Sequence, residues 1–195
     1  MADPITIEQL GSLPRLTDFS SLQNGDGLFF AGNDWLSGLI EDVTGSIFSH
    51  VGIAAQLEEI WCVVHAFSPF VHSLPLTRVL QNWQNTGKSY PGSIAIARWN
   101  TMTPTQAVMA ISVGVSQFGV AYSDMDVVKD SMREAGFPIA PESPDGKSWD
   151  CSLLFAAEYF AVGCAIPPNI KGFTAPGDCW APAQMQPVGT LLLNP

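Results

Sequence analysis

Positive charge is scarce in this chain: 8 Lys and Arg stand against 18 Asp and Glu in 195 residues, for a net charge of -10. Nucleic acid rewards clustered Lys and Arg, so that class of partner is disfavoured, and an anionic membrane surface offers no attraction either. Charged residues amount to only 13% while 47% are hydrophobic, which argues against disorder. Long apolar runs are missing too. Gly and Pro interrupt the longest, and none reaches the roughly 20 residues of a membrane span. The opening Met1-Ala2-Asp3-Pro4 lacks a secretory signal's basic-then-apolar pattern, so the expectation is a soluble protein, cytoplasmic as synthesised. Paired cysteines are absent as well. Cys62, Cys151, Cys164 and Cys179 are spread out with no C-x-x-C, so neither zinc nor any other cofactor is expected. A domain of this length needs no disulfide. The expectation is an irregular lead-in over 1–23, then one domain over 24–195 ending in a Pro-rich tail.

Trp149 to Gly163 reads as a helix apolar nearly all round, and hence buried. Asp150 or Ser148 can cap its start, and Gly163 with Pro167 and Pro168 ends it. Cys151 then falls in the first turn, where unpaired N–H groups and the helix dipole favour a thiolate. A nucleophilic thiolate needs a histidine beside it. The chain has 3 histidines: His50, His65 and His72.

Leu28 to Ala31 reads as a short buried strand after the turn Asn24-Gly25-Asp26-Gly27, and Asp34 opens a helix ending at Gly45. Ser49 to Ala55 and Ile60 to Ala66 read as two strands joined by a polar turn. A turn centred between Leu57 and Glu58 sets His50 directly opposite His65, on one face. Cys62, three positions from His65, faces the other way. His72 falls in a loop and reads as solvated. Pro75 opens a helix closed by Gly87, and Ser93 to Arg98 is a further core strand. Thr103 and Pro104 open a helix with Ala107, Val108, Ile111 and Val115 on its inner stripe. Tyr122 to Gly146 is a long irregular segment whose Asp124, Asp126 and Asp130 lack the pattern of a calcium loop. Val188 to Leu193 reads as a last strand.

Gly25-Asp26-Gly27-Leu28-Phe29-Phe30, Thr44 to Ile53, Val63-Val64-His65-Ala66 and Trp149-Asp150-Cys151-Ser152, in that order, resemble the permuted NlpC-type cysteine hydrolases. More narrowly, they resemble the YiiX/YebB-like group. The resemblance covers about Gly25 to Gly163, with Ala175-Pro176-Gly177-Asp178 as a further matching turn. It implies an α+β, circularly permuted papain-like fold, with a central antiparallel sheet packed against the helix that carries the cysteine. Carried over residue by residue, Cys151 is the nucleophile, His50 the base and His65 the residue that orients the base. Ser49, Tyr122 and Trp149 are candidate oxyanion or substrate contacts. Two positions depart from the group: His65 stands where a glutamate is common, and Leu153 stands where another is common.

The activity so implied is cleavage of an amide bond, in a peptide or a peptidoglycan stem peptide, through a thioacyl intermediate. Lacking an export signal, such an enzyme would reach a cell wall through a phage particle, lysis or a secretion system. Two alternatives stand beside it. One is an acyltransferase or thioesterase using the same triad on lipid or thioester, which exposed apolar residues such as Trp149, Phe67 and Phe70 would favour. The other is a catalytically inactive binding or structural module, for example in a phage particle.

Overall fold

The computed structural model describes residues 5–32, 38, 44–123, 148–169 and 172–192. It is a mixed α+β fold built on one 8-stranded sheet. The strands are β1 (Gly27–Ala31), β2 (His50–Leu57), β3 (Ile60–Phe67), β4 (Phe70–Pro75), β5 (Ser93–Trp99), β6 (Ala121–Tyr122), β7 (Ser148–Trp149) and β8 (Met185–Leu192). Their spatial order is β7-β6-β4-β3-β2-β1-β5-β8, antiparallel except between β6 and β7.

Alternation along the strands sorts the core into two layers. Phe29, Val51, Ile53, Val64 and Ala95 lie in one cluster with residues of two helices, α3 (Pro104–Ser116) and α4 (Cys151–Phe160). Leu28, Phe30, Ala54, Val63 and Ile96 form the opposite layer, covered by Leu76 and Val79 of the short helix α2 (Leu76–Gln81). Both faces of the central strands are therefore buried, which explains why β1 to β3 read as nearly continuous apolar runs. Asp26, 1% exposed, closes the turn before β1 through a bidentate pair with Arg98 at 2.7 and 2.8 Å. Among the described residues no helix is long and apolar enough to cross a membrane.

Several sequence expectations are corrected. The lead-in is not wholly irregular: α1 (Ile7–Gly11) forms there, because Thr6 and Gln9 make a reciprocal capping box and Leu10 is fully buried. The β2–β3 turn is centred between Glu58 and Glu59, both left-handed at φ 48° and 68°, and Leu57 pairs with Ile60. That is the two-residue hairpin turn that Asn and Gly usually supply. It moves the register by two, so His50 and His65 are diagonal neighbours rather than opposites. Their common face survives, since only an odd slip reverses it. His72 belongs to β4, not to a loop, and pairs directly with His65. The helix after Pro75 stops at Gln81, short of Gly87.

Helix α3 turns a different stripe inward than expected. Ala107, Ala110, Ile111 and Gly114 are buried, while Val108 and Val115 are 55% and 37% exposed. Small residues face in because α3 lies close on α4 and β3. A Cβ at Gly114 would meet Glu158 at 2.0 Å and Val64 at 2.9 Å. The tail carries a one-turn helix, α5 (Pro176–Trp180), whose Asp178 accepts the Ala175 N–H at 2.8 Å. The helix expected from Asp34 and most of the segment Tyr122 to Gly146, with its Asp124, Asp126 and Asp130, lie outside the described residues.

Candidate active site

Cys151 is the first residue of α4, and Asp150 is its cap, accepting the Leu153 N–H at 2.8 Å. The preceding strand β7 delivers the chain to this point, so strand end, cap and cysteine are consecutive. Cys151 shares the buried stripe of α4 with Phe155, Glu158 and Tyr159. Its sulfur accepts the backbone N–H of Val51, the amide one residue beyond His50. Ser152 Oγ lies 3.9 Å from the sulfur.

The two histidines expected to act together do meet. His50 Nε2 and His65 Nδ1 are 2.8 Å apart. Diagonal neighbours reach each other here because of Gly52. Continuing the β2–β3 register sets Gly52 opposite His65, and a Cβ there would meet His65 Cβ at 2.8 Å and Val63 Cγ2 at 2.6 Å. With no side chain in that place, the His65 ring leans over the glycine towards His50. Phe30 packs against His50, and Phe67 stacks on His65 at 5.5 Å. His50 itself is partly buried, His65 almost wholly so.

The electrostatics reverse one expectation. A helix start should favour a thiolate, yet burial first and the Asp150 carboxylate second push the Cys151 thiol up to about 12. The cap spends a helix-start N–H on its own carboxylate and sets a negative charge beside the sulfur. Burial, with His72 as the next cause, holds His50 down at about 3. Burial, His50 and His72 hold His65 well below the ordinary histidine range. At pH 7 the sulfur and both rings are thus neutral in this arrangement. Among the described residues no hydrogen bond joins Cys151 to His50; the two approach through the His50–Val51 peptide.

The three candidate contact residues fare differently. Ser49 is buried, with its hydroxyl 3.4 Å from the Phe30 carbonyl and 3.3 Å from the Gly32 N–H, which makes it a strand-end clamp. Trp149 is buried and donates its indole N–H to Gln117 at 3.0 Å. Tyr122 pairs with Trp149 across β6 and β7, at the sheet edge from which α4 departs. Cys62, Cys164 and Cys179 are buried free thiols, and burial raises all three.

One titratable group went unnoticed in the sequence. Glu158, two turns beyond Cys151 on the same stripe, is 1% exposed, and its Oε1 has no hydrogen-bond partner. Burial raises its carboxyl well above the ordinary range, so it is held as the neutral acid. An acid with a raised native pKa contributes stability below its unfolded pKa and loses it as pH climbs towards the native value. Glu158→Gln is therefore expected to leave stability near pH 4 unchanged and to raise it at pH 8. The gap opens by at most about 1.4 kcal/mol per pH unit. Urea unfolding across that range is the check, and a gap that stays flat with pH sinks the assignment.

No protein-family model matches the chain, and no curated protein matches it. Among solved structures it is similar to the crystal structure of the metalloprotein yiiX from Escherichia coli O157:H7. The TM-score is 0.63 over 88% of this chain and 97% of that one, at 16% identity. The two chains share a fold. At that identity the likeness extends to architecture and not to chemistry. The YiiX-like resemblance read from the motifs thus agrees in architecture with a whole-chain match.

Proposed function

We propose that this chain is a cysteine hydrolase that opens an amide bond on a circularly permuted papain-like fold. The observation that carries the reading is the His50 Nε2–His65 Nδ1 bond at 2.8 Å, made at the strand start where the Cys151 sulfur rests on the Val51 N–H. With Nε2 committed to His65, His50 has only Nδ1 left to exchange a proton with sulfur. This is the division of labour that a base and its orienting residue need.

In the proposed reaction the Cys151 proton passes to His50 Nδ1 as sulfur attacks the carbonyl carbon. The Cys151 backbone N–H, an orphan at the helix start, stabilises the oxyanion. The C–N bond breaks as His50 returns its proton to the leaving amine. Water then attacks the thioester, giving its proton to His50, and the acid leaves as the sulfur recovers its proton. Since sulfur and imidazole are both neutral at rest, the ion pair forms only when a bound substrate changes the surroundings of the buried sulfur. A peptide or stem-peptide substrate, and delivery by a phage particle, lysis or a secretion system, rest on the motif resemblance alone.

The neighbouring structure is described as a metalloprotein. The donor set here does not fit a metal: His50 and His65 spend facing nitrogens on each other, and His72 Nδ1 is bound to a backbone carbonyl. Among the described residues no group of three or more His, Cys, Asp or Glu side chains is arranged to hold one. The steps above use none. The acyltransferase alternative gains little, since Trp149 is buried and Phe70, at 45% exposure, is the exposed member of the three aromatics named for it. A groove of about 310 Å³ runs along the outer stripe of α4, past Leu153 and Phe160, away from the sulfur. The inactive-module alternative is favoured by the buried, neutral sulfur.

Labelling separates these readings. Iodoacetamide is expected to alkylate Cys151 slowly up to about pH 9, because the thiol is pushed up to about 12. A stem-peptide chloromethyl ketone is expected to label Cys151 at pH 7, and the free stem peptide to be hydrolysed unless Cys151→Ala is present. Intact peptide together with an unlabelled Cys151 leaves the binding-module reading standing and ends this one.

A further inference from the structure

The fold gathers all 3 histidines of the chain onto one sheet face, on three consecutive strands. His72, directly opposite His65, holds its ring centroid 4.8 Å from that of His65 at 63°. His72 Nδ1 lies 2.8 Å from the Phe70 carbonyl oxygen. A carbonyl only accepts, so His72 Nδ1 carries the hydrogen, and neutral His72 has its lone pair on Nε2. His65 Nε2 is buried with no hydrogen-bond partner.

The tautomers along this row are coupled. For His50 to accept a proton at Nδ1, its own hydrogen must sit on Nε2 and be donated to His65 Nδ1. That places the His65 hydrogen on Nε2, the buried atom without a partner. The opposite choice, His65 Nδ1–H donated to His50 Nε2, moves the His50 hydrogen to Nδ1 and leaves no lone pair for sulfur. Something must favour the first arrangement. Towards His65, neutral His72 offers only electron-rich surfaces, its Nε2 lone pair and its ring face. An N–H on His65 Nε2 gains from either; a lone pair there gains from neither.

We infer that His72 is a positioning residue that selects the tautomer in which His50 can act as the base. It touches neither sulfur nor substrate and acts through His65. The inference rests on the cysteine-hydrolase reading for its purpose, but the tautomer it specifies exists whether or not the chain turns over a substrate.

The test is two-bond ¹H–¹⁵N spectroscopy of the full chain labelled in its histidine rings, assigned by single substitutions. The native chain at pH 7.5 should show Nδ1–H on His72 and Nε2–H on both His65 and His50. In His72→Phe the hydrogen on His65 should move towards Nδ1, and kcat on stem peptide should fall on the order of 100-fold with KM unchanged, as a base held in the wrong tautomer requires. His72→Gln keeps an acceptor oxygen and should restore most of both. Nδ1–H on His65 in the native chain overturns the inference without any variant, which also covers the case in which His72→Phe fails to fold. Unchanged tautomers in folded His72→Phe overturn it too. Predicted tautomers in a chain that cleaves nothing refute the hydrolase reading alone.

Discussion

Replacing His50 by alanine lowers kcat/KM by about four orders of magnitude, and adding Cys151→Ala to that variant costs little more. The expectation follows from the way the two groups depend on each other. The thiol is pushed up to about 12 by burial and Asp150, so without a base almost no thiolate exists at neutral pH. An imidazole without the sulfur has no nucleophile to activate. Each single loss therefore removes the same unit, and the double variant shows strong non-additivity. Two independent contributions would instead multiply. Neither change should alter stability much beyond the ordinary cost of trimming a packed side chain, because no hydrogen bond joins the pair among the described residues. The measurement is kcat/KM for the four proteins of the cycle, with thermal unfolding alongside. Multiplicative losses, or a His50→Ala protein within tenfold of native, would remove His50 from the role of base.

What made this pair legible was chemistry local to the chain. Asp150 caps a helix through contacts within three residues, so Asp-Cys followed by an apolar run announces a buried cysteine at a helix start. The face shared by His50 and His65 was equally readable, since parity along a strand tolerates a register error of two. The turn residues hid that error. Glu58 and Glu59 take left-handed backbone angles that glutamate seldom adopts, and nothing in the pattern Gln56 to Glu59 says which two residues will do so.

Long-range consequences were less accessible. His72 sits between Pro69 and Pro75, which reads as a loop, and its place in β4 depends on pairing with β3 along a whole strand. Glu158 is one acid in an apolar helix, and an exposed position is the ordinary assumption for it. Its burial follows from Gly114 on α3, which is separated by 44 residues and allows the two helices to close over the carboxyl. The thiol's upward shift was misjudged for the same reason: the dipole argument is local, whereas the burial that outweighs it comes from β2, β3 and α5 packing against the start of α4.

Gly52→Val should disable the site from a position that touches no reacting atom. Any Cβ at residue 52 meets three neighbours at once: Val63 Cγ2 at 2.6 Å, His65 Cβ at 2.8 Å and the Val64 carbonyl at 2.8 Å. Strand β3 has to move or His65 has to turn away, and overpacking of this kind costs about 1–3 kcal/mol. The catalytic cost is larger than the stability cost. Displacing His65 by even an ångström breaks the 2.8 Å bond that holds His50, and misplacements of that size cost on the order of 100-fold in rate. Adding Val63→Ala separates the two effects. It relieves the methyl contact alone, so part of the stability returns while His65 Cβ and the Val64 carbonyl still exclude the new side chain, and activity stays low. Urea unfolding and kcat measured on native, Gly52→Val and the double variant decide the matter. A Gly52→Val protein that folds and keeps native kcat would show that the glycine only fills a strand, and that the His50–His65 contact does not depend on the space it leaves.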